Sequence, residues 1–203
     1  MRKSTTTEEQ AVQEAIGRVL SGDSEAYREV VSRFRDRAYA LSVSILKDPD
    51  RAKEGVQRAM IRAYTRLGSF RMEASFRTWF FRIVLNEAYQ ILRDEKRSGV
   101  LLDSSEADEP VAGGSDVMNA LPDRDIHDEL EHRRFYIRRA FLKLPEKESV
   151  ALRLFYLEEL PVRQVAETTG WSESHVKVLL RRARHHMKAL LTEEFGLKEE
   201  ELL

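Results

Sequence analysis

Apolar residues recur every three or four positions along most of this chain, and this spacing constrains its fold more than any other feature. Such residues share one face of an α-helix, whereas a half-buried β-strand would alternate every second position. Residues 27–97 contain three such stripes, interrupted by residues 47–50 and again after Gly68. We expect Gly68 to cap the C-terminus of the second helix and Ser75 the N-terminus of the third. The sequence predicts an all-α fold.

The C-terminal part of the chain repeats the helical pattern. A stripe begins near Leu130, and Pro145 suits the first turn of the next helix, where its missing N–H costs nothing. Pro161 opens a short helix, and a long final helix extends to Leu191. The pattern indicates a four-helix module.

The net charge of −1, from 34 Lys and Arg against 35 Asp and Glu, is a cancellation between segments of opposite sign. Residues 27–97 carry 16 bases and nine acids, and residues 161–191 carry six bases and two acids. Residues 98–131 carry ten acids and one base. Two basic blocks are compatible with a polyanionic partner that the whole-chain charge conceals.

The acidic segment also differs from its neighbours in composition. It has no apolar periodicity, and it contains three glycines and a proline between residues 98 and 115. A segment with few apolar groups and a high charge buries too little apolar surface to offset the entropy lost on ordering, so we expect a flexible linker. We therefore divide the chain into two small helical domains, residues 1–97 and 130–203, joined by a flexible acidic linker, residues 98–129. We expect the acidic tail, residues 192–203, to be frayed; capping of the basic last helix is the alternative.

Several classes of protein are excluded by the residues present. The chain has no cysteine, which rules out disulfides, thiolate zinc sites and a cysteine nucleophile. His185 and His186 are adjacent, point to different helix faces and make a poor metal pair. No phosphate-binding glycine loop or spaced ligand set indicates an enzyme, a cofactor or a metal. The polar start is no secretory signal, and the longest apolar stretch, Trp79–Leu85, is too short to cross a bilayer. We expect a cytoplasmic protein with no catalytic activity and no membrane insertion.

The sharpest local motif predicts a helix-turn-helix. Ala166 allows the next helix to cross closely, Gly170 permits a tight turn, and Val176 fills the angle between the two helices. Ser172 is placed to cap the final helix. In a helix-turn-helix, this second helix enters the major groove of DNA. That helix also carries basic residues suited to phosphates and base edges: Lys177, Arg181, Arg182, Arg184 and Lys188. The alternative is an ordinary helical hairpin with a solvated basic face.

Motifs in both halves resemble the sigma-70 family of bacterial transcription factors. Residues 144–146, the helix-turn-helix and the segment Arg182–Ala183–Arg184 resemble the promoter-binding region four. The segment Ser75–Phe76–Arg77–Thr78–Trp79, followed by Asn86, resembles the promoter-melting part of region two. Because only these two domains and a linker are present, the layout resembles the extracytoplasmic-function (ECF) sigma factors.

The resemblance implies binding partners and site residues. The partners would be core RNA polymerase, through the coiled coil of its largest subunit and its flap, promoter DNA, and an anti-sigma factor. Contacts to the polymerase would come from Glu54, Val56, Gln57, Met60 and Ile61. The −10 element would be melted and held by Arg71, Arg77, Arg82, Asn86, Tyr89, Gln90 and Arg93. The −35 element would be bound by Ser172, Ser174, His175, Lys177, Val178, Arg181, Arg182 and Arg184.

Some residues depart from the family pattern. Family members usually carry acids where this chain has Arg51–Ala52–Lys53–Glu54–Gly55 and Arg58, which puts the individual polymerase contacts in question. Leu179 either contacts thymine methyl groups or packs inward. Trp79 and Phe80 lie on the apolar stripe, so we interpret them as core residues rather than base-stacking ones.

Two other functions compete with a sigma factor. A DNA-binding regulator would use the helix-turn-helix without replacing another sigma factor. An adaptor would use a similar fold to sequester a partner protein, but it would not need the basic final helix. Specific transcription from core polymerase and this protein alone would separate a sigma factor from a regulator.

Overall fold

The computed structural model describes residues 2–71, 74–97 and 129–197, and within these ranges it contains eight α-helices and no β-strand. The first half contains α1 (Arg2–Leu20), α2 (Tyr27–Leu46), α3 (Pro49–Arg66) and α4 (Phe76–Arg97). The second half contains α5 (Glu129–Lys143), α6 (Glu146–Leu152), α7 (Val162–Thr169) and α8 (Glu173–Ala189). Short π-helical turns, Arg153–Leu157 and Leu190–Glu194, continue α6 and α8. The predicted all-α fold class is confirmed, while the proposed linker lies outside the described residues.

Local capping explains where the helices of the first half begin and end. The Asp48 carboxylate accepts hydrogen bonds from the amides of Asp50 and Arg51, and Pro49 occupies the first turn of α3. The Ser75 hydroxyl accepts a hydrogen bond from the Thr78 amide at 3.1 Å, which confirms its predicted role at α4.

The predicted role of Gly68 is wrong. The α3 helix ends at Arg66 and tightens into a 3-10 turn, Leu67–Ser69. The amide of Phe70 bonds to the carbonyl of Leu67 at 3.1 Å, so the chain leaves the helix without a left-handed cap residue.

An aromatic cluster forms the core of the first half. Phe34 of α2 packs against Phe76, Phe80 and Phe81 of α4, with ring centroids 5.3 to 6.1 Å apart. Phe80 is fully buried, as expected for a core residue. Trp79 is only partly buried.

The α1 helix belongs to the same core, although the sequence reading assigned it no structure. Val12, Ala15 and Ile16 are almost fully buried on its inner face. Their three- and four-residue spacing is a signal for a helix, but charged and polar residues surround these three positions in the sequence. The first half is therefore a four-helix unit.

The final residues of the second half are folded as far as they are described. Leu191 is buried, and the ring of Phe195 lies 5.1 Å from that of Tyr136 on α5. The expectation of a frayed tail is wrong for residues 192–197, because the apolar Phe195 anchors them. Residues 198–203 lie outside the described residues.

The two halves pack against each other. The α4 helix contacts α7, and α2 contacts α5 and α6. Buried apolar residues from both halves form one continuous cluster. The division into domains remains a prediction, but α4, which carries the candidate −10 residues, packs against α7 of the second half.

Candidate nucleic-acid interface

The helix-turn-helix is built as its motif predicts. Gly170 adopts a left-handed φ of 78°, and its amide bonds to the carbonyl of Ala166 at 2.8 Å. The Ser172 hydroxyl caps α8 by accepting a hydrogen bond from the His175 amide at 3.2 Å. Val176 is fully buried between α7 and α8. These contacts fix the angle between the two helices.

The α8 helix separates an apolar face from a basic one. Val176, Leu179, Leu180 and Ala183 are buried, which settles that Leu179 packs inward. Every predicted −35 contact is exposed: Ser172, Ser174, His175, Lys177, Val178, Arg181, Arg182 and Arg184. The helix therefore presents a continuous cationic surface that fits the major groove.

His186 has a structural role. Its Nδ1 lies 2.6 Å from the buried carboxylate of Glu148, so it ties α8 to α6. Among the described residues, no group of three His, Cys, Asp or Glu side chains is placed to hold a metal ion. None of the helices in these ranges has the length and apolar character needed to cross a membrane.

The α4 helix carries the second candidate surface. Arg82, Asn86 and Arg93 are exposed along one side, over a helical rise of about 16 Å. Gln90 lies between them, where its carbonyl oxygen accepts a hydrogen bond from Arg93 at 2.9 Å. Arg71, before α4, is also exposed. Amide and guanidinium groups in a row can read bases and neutralise phosphates.

Two predicted −10 residues instead contact the second half. Arg77, with 11% of its side chain exposed, donates a hydrogen bond to the carbonyl of Glu158 at 2.7 Å. The Tyr89 hydroxyl donates to the Glu146 carboxylate at 2.7 Å, and burial raises the pKa of this phenol, so it stays protonated. The structure thus brings Arg82, Asn86, Gln90 and Arg93 together, covers Arg77 and Tyr89, and leaves Arg71 exposed before the helix.

The predicted polymerase contacts lie on two faces of α3, one buried and one exposed. Val56 and Met60 are buried in the domain, where they pack in the core. Glu54, Gln57 and Ile61 are exposed, and Ile61, at 57%, is a large apolar residue open to solvent. Arg58, one of the residues that depart from the family pattern, donates a hydrogen bond to Glu54 at 2.5 Å. Glu54, the one acid retained from that pattern, is therefore partly neutralised.

Sequence reasoning missed the groups that join the two halves. Arg37 of α2 donates hydrogen bonds to the Glu158 carboxylate, and Lys47 donates to the carbonyls of Leu142 and Leu144 at 2.8 and 3.3 Å. No local signal identified them, because Arg37 and Glu158 are 121 positions apart.

Comparisons with known proteins find relatives of both halves of the chain. The family model "Sigma-70 region 2" matches residues 30–98, and "Sigma-70, region 4" matches residues 134–187, together more than half of the chain. The chain is 28% identical to the ECF RNA polymerase sigma factor SigW of Bacillus subtilis, over 90% of this chain and 98% of that protein. It is also 28% identical to the ECF RNA polymerase sigma-E factor of Escherichia coli K12, over 83% of this chain and 88% of the relative.

Solved structures support the fold. The sigma factor RpoE of Bartonella quintana, solved with the anti-sigma factor NepR, matches with a TM-score of 0.59 and 21% identity, over 82% of this chain and 96% of that one. CnrH, solved with the cytosolic domain of CnrY, matches with a TM-score of 0.57 and 20% identity, over 92% and 97% of the two chains. With region-two and region-four matches in one chain and full-length ECF relatives, this protein belongs to the sigma-70 family and, within it, to the ECF sigma factors.

Proposed function

We propose that this protein directs bacterial core RNA polymerase to specific promoters. The observation that carries the proposal is the presence of two exposed surfaces suited to nucleic acid in one chain, the basic face of α8 and the polar row on α4. A duplex-binding helix and a strand-holding helix are the two parts needed to locate a promoter and then keep it open.

The two surfaces divide the work on DNA. The α8 helix binds the −35 element as duplex, with Lys177, Arg181 and Arg182 contacting phosphates and base edges. On α4, Asn86 reads an extruded base of the −10 element through its amide, and Arg82 and Arg93 neutralise the single strand.

The exposed side of α3 binds the polymerase. It presents the apolar Ile61 and the amide of Gln57 among arginines, including Arg58. The largest-subunit coiled coil and the flap are the docking sites that the family assignment suggests, and an anti-sigma factor is the expected regulatory partner. Buried Val56 and Met60 support this surface from beneath.

The chain supplies no chemistry of its own in this scheme. Phosphodiester formation belongs to the polymerase, so the protein acts without catalytic activity, cofactor or metal. Its place of work is the cytoplasm, where the polymerase and the promoters are.

The test is transcription in vitro with purified core polymerase, this protein and fragmented genomic DNA, followed by sequencing of the transcript 5′ ends. We expect starts that share upstream elements near −10 and −35 and that are absent with core polymerase alone. A chain that binds DNA but yields no new starts is a regulator of another kind, and that result overturns the proposal.

A further inference from the structure

Four charged side chains meet where the two halves touch. Arg37 donates two hydrogen bonds to one carboxylate oxygen of Glu158, at 2.8 Å from Nε and 2.5 Å from a terminal nitrogen. Arg77 donates to the backbone carbonyl of the same residue at 2.7 Å. Glu8 of α1 accepts a 2.7 Å hydrogen bond from each arginine. Glu158 of the second half therefore accepts hydrogen bonds from both guanidinium groups.

Among the four hydrogen-bonded side chains, the charges balance only while Glu158 is present. Two arginines face two glutamates in the closed arrangement, and Glu158, with 7% of its side chain exposed, is held out of water. Once the second half moves away, Arg37 and Arg77 keep only Glu8, which leaves a net positive site. Arginine forks bind carboxylate and phosphate oxygens with the same geometry, so this site fits a phosphate.

The site lies at the N-terminal end of α4, about 8 Å along the helix before Arg82, the first residue of the exposed row. Arg77 and Tyr89, both held by the second half, lie about 18 Å apart along this helix, and Arg82 and Asn86 are between them. These two residues project about 120° apart around the helix axis, so the second half covers two of the predicted −10 residues at separate points of α4. A strand that contacts all of the predicted −10 residues needs both points uncovered.

The turn that carries Glu158 is unusual. The next residue, Glu159, adopts a φ of 52°, a left-handed conformation that is uncommon for glutamate. This residue ends the helical turn: the amide of Leu160 bonds to the carbonyl of Leu154 at 3.0 Å. Glu158 is therefore held at the end of a hydrogen-bonded turn.

We propose that Glu158 occupies a phosphate site formed by Arg37 and Arg77, so that the free chain masks part of its own −10 surface until a single strand of DNA replaces this carboxylate. The inference rests on the proposed function for the identity of the ligand, the backbone phosphate of single-stranded DNA. The masking itself is a property of the chain alone. It can therefore be tested without polymerase.

The first experiment measures opening of the chain. Because the sequence has no cysteine, the exposed positions Ser32 and Lys147 can be labelled through S32C and K147C for fluorescence energy transfer. We expect E158Q to lower the transfer efficiency, and E25Q, which removes an exposed carboxylate paired with Arg28, to leave it unchanged. Raising salt from about 0.05 to about 0.5 M opens the parent chain as well, because it screens the ion pairs. Equal efficiency in E158Q and the parent, at both salt concentrations, overturns the masking.

The second experiment measures binding of a fluorescent, mixed-sequence single-stranded DNA by anisotropy. We expect E158Q to bind about tenfold more tightly, the effect of removing one competing charge-assisted interaction. The additional substitution R37Q should cancel this gain, because it removes the site that E158Q exposes. A gain that persists in the double variant, or an open E158Q chain with no gain, overturns the phosphate site. Loss of specific transcription with this binding pattern intact would instead count against the proposed function alone.

Discussion

Each turn of α8 places apolar side chains inward and basic side chains outward, so the burial of single residues decides their roles. Leu179 and Leu180 are buried, whereas the next two residues, Arg181 and Arg182, are exposed. A substitution of the exposed pair should therefore affect DNA binding without disturbing the core.

The first prediction concerns this pair. Replacing Arg181 and Arg182 with alanine should weaken duplex binding and lower the slope of log K against log salt by about 0.9 for each lost phosphate contact. Affinity measured across a salt series checks this, with Arg28→Ala, a highly exposed arginine of the first half, as the control. An unchanged slope in the double variant would remove these arginines from the interface.

The second prediction concerns the exposed amide on α4. Asn86→Ala should reduce promoter opening about tenfold, the cost of one lost pair of base-reading hydrogen bonds. Permanganate reactivity of the −10 region measures this, while binding to −35 duplex should stay unchanged. Gln13→Ala, which removes an exposed amide from α1, is the matched control. Normal opening in the Asn86 variant contradicts the assigned role.

At the scale of secondary-structure elements, Gly55 sits where α3 crosses its neighbours. A Cβ atom added there would lie 3.4 Å from Cδ1 of Ile91 on α4 and 3.6 Å from Cδ1 of Leu46 on α2. These are ordinary van der Waals distances, so there is room for a methyl group and not for a larger side chain.

The third prediction follows from this space. Gly55→Ala should raise the free energy of unfolding by up to about 1 kcal/mol, because alanine favours the helix. Gly55→Leu should lower it by about 1–3 kcal/mol through overpacking. Urea unfolding measures both, and Gly17→Ala, in α1 with open space around it, gives the helix effect alone. A large loss of stability in Gly55→Ala would mean that the crossing leaves no room for a methyl group.

The α1 helix gives the fourth prediction. Ile16 is fully buried against the core, so Ile16→Ala should lower the free energy of unfolding by about 2–4 kcal/mol. Leu20→Ala, on the same helix but about half exposed, should change it by less than about 0.5 kcal/mol. Equal effects of the two substitutions would show that α1 does not share the core.

At the scale of the whole molecule, the sequence predicted the features that depend on neighbouring residues. Ser172, Gly170 and Val176 act within a few positions of one another, and their spacing alone predicted the helix-turn-helix. The pairing of Arg37 with Glu158 depends on how two helical units dock, and no local spacing encodes it. For this reason the polar residues of α4 were predictable, and the covering of Arg77 and Tyr89 by the second half was not.

Lys47 connects this docking to pH. It ends α2 with a left-handed φ of 53°, and its ammonium group donates to the carbonyls of Leu142 and Leu144 at the end of α5. Burial lowers its pKa from 10.5 to about 8, against the attraction of Glu146 and with added repulsion from Arg153. Docking therefore disfavours the charged form of Lys47.

The last prediction is that the closed arrangement becomes more stable as pH rises from about 8 to 10, below the range in which loss of the Tyr89 proton from an open chain opposes the effect. In this range an open chain keeps the proton on Lys47 while the closed chain has released it, and stability rises with pH when the competing state binds more protons. The neutral amine still has two N–H groups for the two carbonyls. Energy transfer between labels at positions 32 and 147 should increase across this range in the parent chain. The increase should be lost in Lys47→Met. It should be kept in Lys53→Met, the control, which removes an exposed lysine paired with Asp50. A decrease with rising pH in the parent chain would mean that the charged form of Lys47 holds the two halves together.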